Sequence, residues 1–280
     1  MKNIKTNNNL KPIEIVKLNG IDTFTKNNDL LAVEEPLQIS VEFGEQNARQ
    51  NTNIAITMRT PGADELLCLG FLFTEGIIEN YEEVVSIKVD PLDENIITIE
   101  LSTKCKFDVE KLSRHLFTSS SCGVCGKTSI ENLQSTIIYK PMKNQPKVEL
   151  KTLYSLPQKL RAAQNLFEQT GGIHGAGLFT VNGNLLQVQE DVGRHNAVDK
   201  LLGWALKNNH IPLQDKLILV SGRSSFELVQ KTLMAGCFFM AAVGAPSSLA
   251  AQLANNYNMT LVGFLKGQKG NVYCGEGRLV

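Results

Sequence analysis

The sequence predicts an α/β protein, with a layered α/β C-terminal domain preceded by a smaller α+β domain. Three observations predict it. From about Leu153 onward, short apolar segments alternate with amphipathic stretches of helical length, which is the pattern of strands covered by helices. Before about residue 145, strand-like runs occur in neighbouring pairs with few helices between them. The chain is 280 residues long, 42% hydrophobic and 20% charged, with zero formal net charge, so it can bury a substantial core. This balance gives no reason to expect a nucleic-acid or membrane-surface binder.

Taken in order, residues 1–30 read as a flexible N-terminal tail. Met1 to Pro12 is polar and Asn-rich and has no apolar stretch of the signal-peptide kind. The α+β domain spans 31–145. Within it, 37–43 and 53–60 read as strands, and Thr60-Pro61 opens a helix with Thr60 as cap and Pro61 in its first position. Asp64 and Glu65 then sit where the helix dipole favours acids. Residues 84–89 and 96–101 read as strands, and 108–117 as a helix. Prolines and lysines over 140–150 read as a linker.

The second domain spans 146–280. Residues 156–170 read as an amphipathic helix stopped at Gly171. Asn182-Gly183 marks a hairpin over 177–188. Helices follow over 196–207, 225–234 and 247–256, interleaved with strands at 216–220, 239–243 and 260–265. The nearly unbroken apolar run from Leu233 to Ala245 is 13 residues, too short to span a bilayer, and reads as core. The protein is therefore expected in the cytoplasm, where its six cysteines are mostly free thiols. Cys68 and Cys237 lie in apolar surroundings and read as small buried hydrophobes.

Four places could carry chemistry. Cys122 and Cys125 lie in Ser119-Ser120-Ser121-Cys122-Gly123-Val124-Cys125-Gly126-Lys127. The serines and glycines suggest an exposed loop, and Lys127 favours thiolate. A thiolate can attack a persulfide and carry its outer sulfur onward. A structural zinc site would need a second ligand pair, and a thioredoxin-like site would need a strand before the motif and a helix after it. Both stay open beside the sulfur-handling reading.

The second place is Gly171–Gly177, where glycines surround His174; a ligand contact and a plain turn fit equally. The third is Glu190-Asp191-Val192-Gly193-Arg194-His195-Asn196-Ala197-Val198-Asp199-Lys200, at a strand-to-helix junction where open α/β sheets bind ligands. Arg194 suits a phosphate, and His195 a hydrogen bond or proton transfer. The fourth is Ser221-Gly222-Arg223-Ser224-Ser225-Phe226-Glu227, read as a capping box from Ser224 to Glu227 with Arg223 beside a helix start able to hold an anion. Similar turns follow at Gly244-Ala245-Pro246-Ser247-Ser248 and at Phe264-Leu265-Lys266-Gly267-Gln268-Lys269. Three such turns could converge on one sheet edge and cradle a phosphorylated ligand.

These motifs, joined by Thr60-Pro61-Gly62 and Gly70-Phe71-Leu72-Phe73-Thr74-Glu75-Gly76, resemble the formate dehydrogenase accessory sulfurtransferase (FdhD) family from about Glu35 to Val280. The resemblance implies a C-terminal domain of cytidine-deaminase-like fold and a homodimer. It implies a sulfur carrier that a cysteine desulfurase loads on the CxxC loop. The sulfur then passes to a bis-molybdopterin guanine dinucleotide, with molybdenum or tungsten, for formate dehydrogenase. On this reading Cys122 carries persulfide and Cys125 assists. Gly222, Arg223, Ser224 and the turn from Phe264 to Lys269 hold the guanine dinucleotide, and His174, Asp191, Arg194 and His195 line the metal end. Deaminase chemistry is not implied, because Gly175 and Ala176 follow His174 where zinc deaminases place a glutamate, and no zinc is expected. The competing functions are a non-catalytic cofactor-binding chaperone and a metal-dependent nucleotide hydrolase or deaminase.

Overall fold

A computed structural model describes residues 9–21, 23–105, 107 and 137–280. The helix expected over 108–117 lies outside them. Twelve strands and six α-helices are present among the described residues.

Strands β1 (Leu10–Leu18) and β2 (Phe24–Ala32) pair antiparallel along their whole length. This corrects the flexible tail expected through residue 30. Polar residues such as Asn27, Asn28 and Asp29 hide the strand pattern, because both faces of this hairpin are largely exposed and no buried face imposes alternation.

Strands β3 (Glu35–Phe43), β4 (Gln50–Arg59), β5 (Val84–Val89) and β6 (Ile96–Leu101) form a four-stranded sheet of order β4-β3-β6-β5, with β3 and β6 parallel. Helix α1 (Asp64–Thr74) packs on it. Thr60 does not cap this helix. The N-cap is Ala63, at φ 56°, without a side-chain cap bond. Thr60 is instead fully buried and bonded to the C-terminal half. Asp64 is engaged by Arg59, through two bonds of 3.1 Å.

Helix α2 (Leu150–Ala163) begins six residues before the expected start and contains Pro157. A proline suits a first turn best, so the sequence points to a later start. The helix breaks at Gln164, and α3 (Asn165–Thr170) completes the segment before Gly171, at φ 66°. The Glu190 carboxylate accepts from the backbone N–H groups of Leu166 and Phe167, both at 2.9 Å, and so caps α3 from outside.

Strands β7 (His174–Thr180) and β8 (Leu185–Asp191) form the expected hairpin, longer at both ends. Helix α4 (Arg194–Lys207), strand β9 (Lys216–Val220), helix α5 (Phe226–Met234), strand β10 (Phe239–Ala242), helix α6 (Ser248–Asn256) and strand β11 (Thr260–Lys266) follow as the pattern requires. One further strand, β12 (Lys269–Cys274), returns antiparallel to β11. The six-stranded sheet has order β12-β11-β10-β9-β7-β8, with β9, β10 and β11 parallel.

Side chains alternate across this sheet as strand geometry demands. Ile218 and Val220 face one core, with Leu201, Leu228 and Leu253 of the helices. Leu217 and Leu219 face the other, with Leu153, Leu156 and Leu160 of α2. The first core also contains Ile39, Ile97 and Leu69, so it runs continuously from one sheet to the other. Helices α1 and α4 make the join, and they cross at glycines. A Cβ on Gly70 would lie 1.8 Å from the Asp199 carbonyl oxygen, and one on Gly203 would lie 1.9 Å from that of Leu66. Beside this crossing a buried polar cluster ties three helices together. Lys231 Nζ donates to Thr74 Oγ1 at 2.8 Å and Asp199 Oδ2 at 2.9 Å. Among the described residues no helix is long and apolar enough to cross a membrane.

Candidate functional site

The parallel strands β9 and β10 end together beside Gly263 of β11, and the turns leaving them are bonded to one another and to β11. Gly244 N–H donates to the Gly222 carbonyl at 2.9 Å, Ser224 N–H to that of Ala245 at 3.2 Å, and Phe264 N–H to that of Gly244 at 3.0 Å. Ser247 N–H reaches the Ser224 carbonyl at 3.1 Å. Gly244 has no room for a side chain, since its Cβ would lie 2.9 Å from the Gly222 carbonyl oxygen. The turns after β9 and β10 therefore converge, with Phe264 of β11 bonded beside them, while the rest of the third segment runs on into the β11–β12 hairpin. The starts of α5 and α6 lie in these turns, and α4 starts just past β8 on the same side. The edge thus gathers the positive ends of three helix dipoles.

His174 opens β7 at this edge, opposite Asp191 and beside the end of β9. Its Nδ1 would lie 3.2 Å from a Cβ on Gly222, so a side chain there would press the ring aside by a few tenths of an ångström. Gly175 N–H donates to Ser221 Oγ at 2.9 Å and locks the two strand ends together. Burial, and then the charge of Arg194, hold the His174 ring below the ordinary histidine range; His195 and Arg223 push the same way, against Asp191. His174 is thus neutral at pH 7, in cationic surroundings.

Arg194 and His195 occupy the first turn of α4. Arg194 Nε is buried and has no hydrogen-bond partner. His195 Nε2 lies 3.2 Å from Ser225 Oγ and 2.8 Å from Glu227 Oε2. Arg223 is exposed on the turn, and Gly222 lies beneath His174.

Three expectations need correction. Asp191 does not line the site. It is fully buried, and its carboxylate accepts from Gly193 N–H at 2.8 Å, Asn196 Nδ2 at 3.1 Å and Thr60 N–H at 3.2 Å. It also pairs with Lys200 at 2.7 Å. Lys200 donates in turn to the Thr60 carbonyl at 2.8 Å. Asp191 is a joint between the halves of the protein, and it positions Arg194 and His195 from below.

Ser224 does not cap α5. The N-cap is Ser225, without a side-chain cap bond, while Ser224 Oγ is buried without a partner. The bridge from Ser224 to Pro246 pulls that residue into the turn contact and displaces the cap by one residue. Leu265 is not a ligand contact either; it is fully buried against α2.

The rest of that turn is exposed. Phe264, at φ 55° and 50% exposed, sits where the chain leaves the edge. Lys266 and Lys269 face each other across a hairpin whose tip is Gly267 and Gln268. The segment is a β11–β12 hairpin rather than a turn after the final strand.

The sequence reading missed Glu227 and Ser225 as partners of His195 at this edge. Their spacing from Arg194 and His195 carries no signal, because the contacts cross from one helix to the next. Cys122 and Cys125 lie outside the described residues. The four described cysteines, Cys68, Cys105, Cys237 and Cys274, are free. Burial pushes the Cys105 thiol up to about 11 and Cys237 up to about 12, so neither suits thiolate chemistry at neutral pH.

The chain is similar to known proteins over most of its length. Residues 32–280 match the model of the FdhD/NarQ family. The chain belongs to that family. The sulfur carrier protein FdhD of Nocardia farcinica is 45% identical over 258 residues, covering 91% of this chain and 89% of that protein. The sulfur carrier protein FdhD of Mycobacterium tuberculosis is 43% identical over 261 residues, covering 90% and 92%. That of Picrophilus torridus is 41% identical over 255 residues, again covering 90% and 92%. A crystal structure from Desulfotalea psychrophila, assigned as a formate dehydrogenase accessory protein, superposes with a TM-score of 0.73. It covers 97% of this chain and 99% of its own at 24% identity, and so shows the shared fold.

Proposed function

We propose that this chain is a cytoplasmic, homodimeric sulfur carrier for formate dehydrogenase. It takes sulfur from a cysteine desulfurase and delivers it to a bis-molybdopterin guanine dinucleotide, with molybdenum or tungsten, as bound substrate. The name shared by its relatives supports the sulfur role. The observation that carries the binding role is the sheet edge itself. Buried donors without partners, Arg194 Nε and Ser224 Oγ, lie where helix starts and Arg223 already favour an anion. Residues of this kind fit a dinucleotide's phosphates. Lys266 and Lys269 extend the positive surface along the neighbouring hairpin.

The chemistry proposed for Cys122 is sulfur–sulfur exchange. Its thiolate attacks the outer sulfur of the desulfurase persulfide, a new S–S bond forms, and the desulfurase cysteine leaves as thiolate. Cys125 assists onward transfer or resolves the persulfide. In this reading the likeness to cytidine deaminases concerns only the fold of residues 146–280.

Purified protein incubated with a cysteine desulfurase and cysteine, then analysed by peptide mass spectrometry without reductant, tests this. One added sulfur on the Cys122 peptide, reversed by thiol and absent in Cys122→Ala, is the expected result. No gain, where a known acceptor is loaded, overturns it. A second reading is a cofactor chaperone that binds at the same edge and needs no thiol. Formate dehydrogenase activation retained in Cys122→Ser, Cys125→Ser would establish that reading instead.

A further inference from the structure

A cationic edge built for an anion contains a carboxylate pointed into it. Asp191 is saturated by its own partners, and Glu190 is spent on capping α3. Glu227 is different. It sits in the first turn of α5, its side chain is 50% exposed, and its Oε2 lies 2.8 Å from His195 Nε2. Ser225, the N-cap of the same helix, makes no side-chain cap bond to that helix and turns its Oγ to that nitrogen at 3.2 Å. Two oxygens of α5 thus converge on one ring nitrogen of α4. This is not a serine–histidine–acid relay, which uses both ring nitrogens.

The charged groups that face Glu227 are His195 and Arg194 from α4 and Lys231 from its own helix. The hydrogen bond from His195, followed by these charges, holds the Glu227 carboxyl below the usual carboxylate range against the effect of burial. It is ionised at neutral pH. An arriving phosphate therefore meets a like charge, and the His195 donor is already taken.

We propose that Glu227 is an internal stand-in for the ligand's phosphate. While the edge is empty it occupies His195 and offsets the positive helix starts. When an anionic ligand binds, His195 is transferred to the ligand and Glu227 swings to solvent, which its exposure permits. The consequence is a moderated affinity, which suits a protein that must hand its ligand on. This inference rests on reading the edge as a phosphate site, and it adds a residue that sets how tightly the site holds.

Calorimetry on the full chain, with GDP and inorganic pyrophosphate as separate probes, tests it. Glu227→Gln should bind both about three- to fivefold tighter than the parent, the scale of one exposed ion pair. A merely structural role cannot produce a gain. In a His195→Gln background the same substitution should give little or none, because the competition is for that ring. Equal or weaker binding by Glu227→Gln overturns the proposal, as does a gain that survives undiminished in His195→Gln. If pyrophosphate binds and shows the gain while GDP does not bind, the nucleotide reading falls and the role of Glu227 stands. If neither probe binds parent or variant, both fall.

Discussion

Replacing Asp191 with alanine separates a residue that holds the fold from one that touches the ligand. The carboxylate is fully buried, with three hydrogen bonds of 2.8 to 3.2 Å and an ion pair of 2.7 Å to Lys200, itself 1% exposed. Alanine would leave the Lys200 ammonium with only carbonyl oxygens, of Thr60 at 2.8 Å and Glu190 at 3.5 Å. It would also leave the N–H groups of Thr60 and Gly193 without their acceptor. Breaking a buried pair from one side costs about 3–5 kcal/mol, mostly through the charge left behind. For a chain near this size, each kcal/mol moves Tm by about 2–4 °C, so a fall of roughly 10 °C is expected. Urea unfolding followed by Trp204, the one tryptophan, measures the change at equilibrium. Asp191→Asn, Lys200→Met removes both charges and should recover a large part of the loss. A cost below about 1 kcal/mol in Asp191→Ala, far under the buried-pair range, together with abolished formate dehydrogenase activation, would refute this reasoning. It would show that the carboxylate acts on the ligand.

Two other expectations follow from contacts already described. Gly203→Ala places a methyl 1.9 Å from the Leu66 carbonyl oxygen and 2.8 Å from Gly70 N, and both are backbone atoms that cannot turn aside. Helices α1 and α4 must separate, at a cost of about 3 kcal/mol or more; an unchanged denaturation midpoint would show that the crossing is not tight. His174 has a folded-state pKa below its unfolded value of 6.5, so below pH 6.5 the unfolded chain binds the proton first. Its contribution is level above that pH, stability is lost as pH falls through 6.5, and the full penalty is reached below the folded pKa. The parent should therefore lose stability faster than His174→Gln over this window, and its ring should titrate below 6.5 by NMR; parallel pH profiles would contradict the assignment.

Much of the fold was legible before any coordinates. Strands over 84–89, 96–101 and 216–220 have the bounds the sequence implies, because turns bracket them; 96–101 also alternates with its buried face, and 216–220 is a short buried run. The hairpin at Asn182-Gly183 was legible because that pair suits the turn, and Gly183 stands at φ 73°. Local signals failed where a distant group made a better offer. Thr60 looks like a cap, yet its N–H, hydroxyl and carbonyl are all taken by Asp191, Val192 and Lys200, more than a hundred residues away. Ser224 looks like a cap, but the neighbouring turn at Ala245 claims its backbone. The motif from Glu190 to Lys200 looked like a site along its whole length. Only Arg194 and His195 face the edge, while Glu190, Asp191, Asn196, Asp199 and Lys200 serve joints inside the protein.

The sequence by itself determined the layered α/β class, the spacing of Cys122 and Cys125 and the presence of glycine-containing turns at strand ends, since each depends on the types and spacing of neighbouring residues. Only the tertiary structure decided which polar residues face outward, that the turns after β9 and β10 form one edge beside Phe264, and that Glu227 reaches His195. The physical reason is that hydrogen bonds and ion pairs act over a few ångströms in space. Sheet order and the glycine crossing of α1 on α4 set those distances, and neither is written in local spacing.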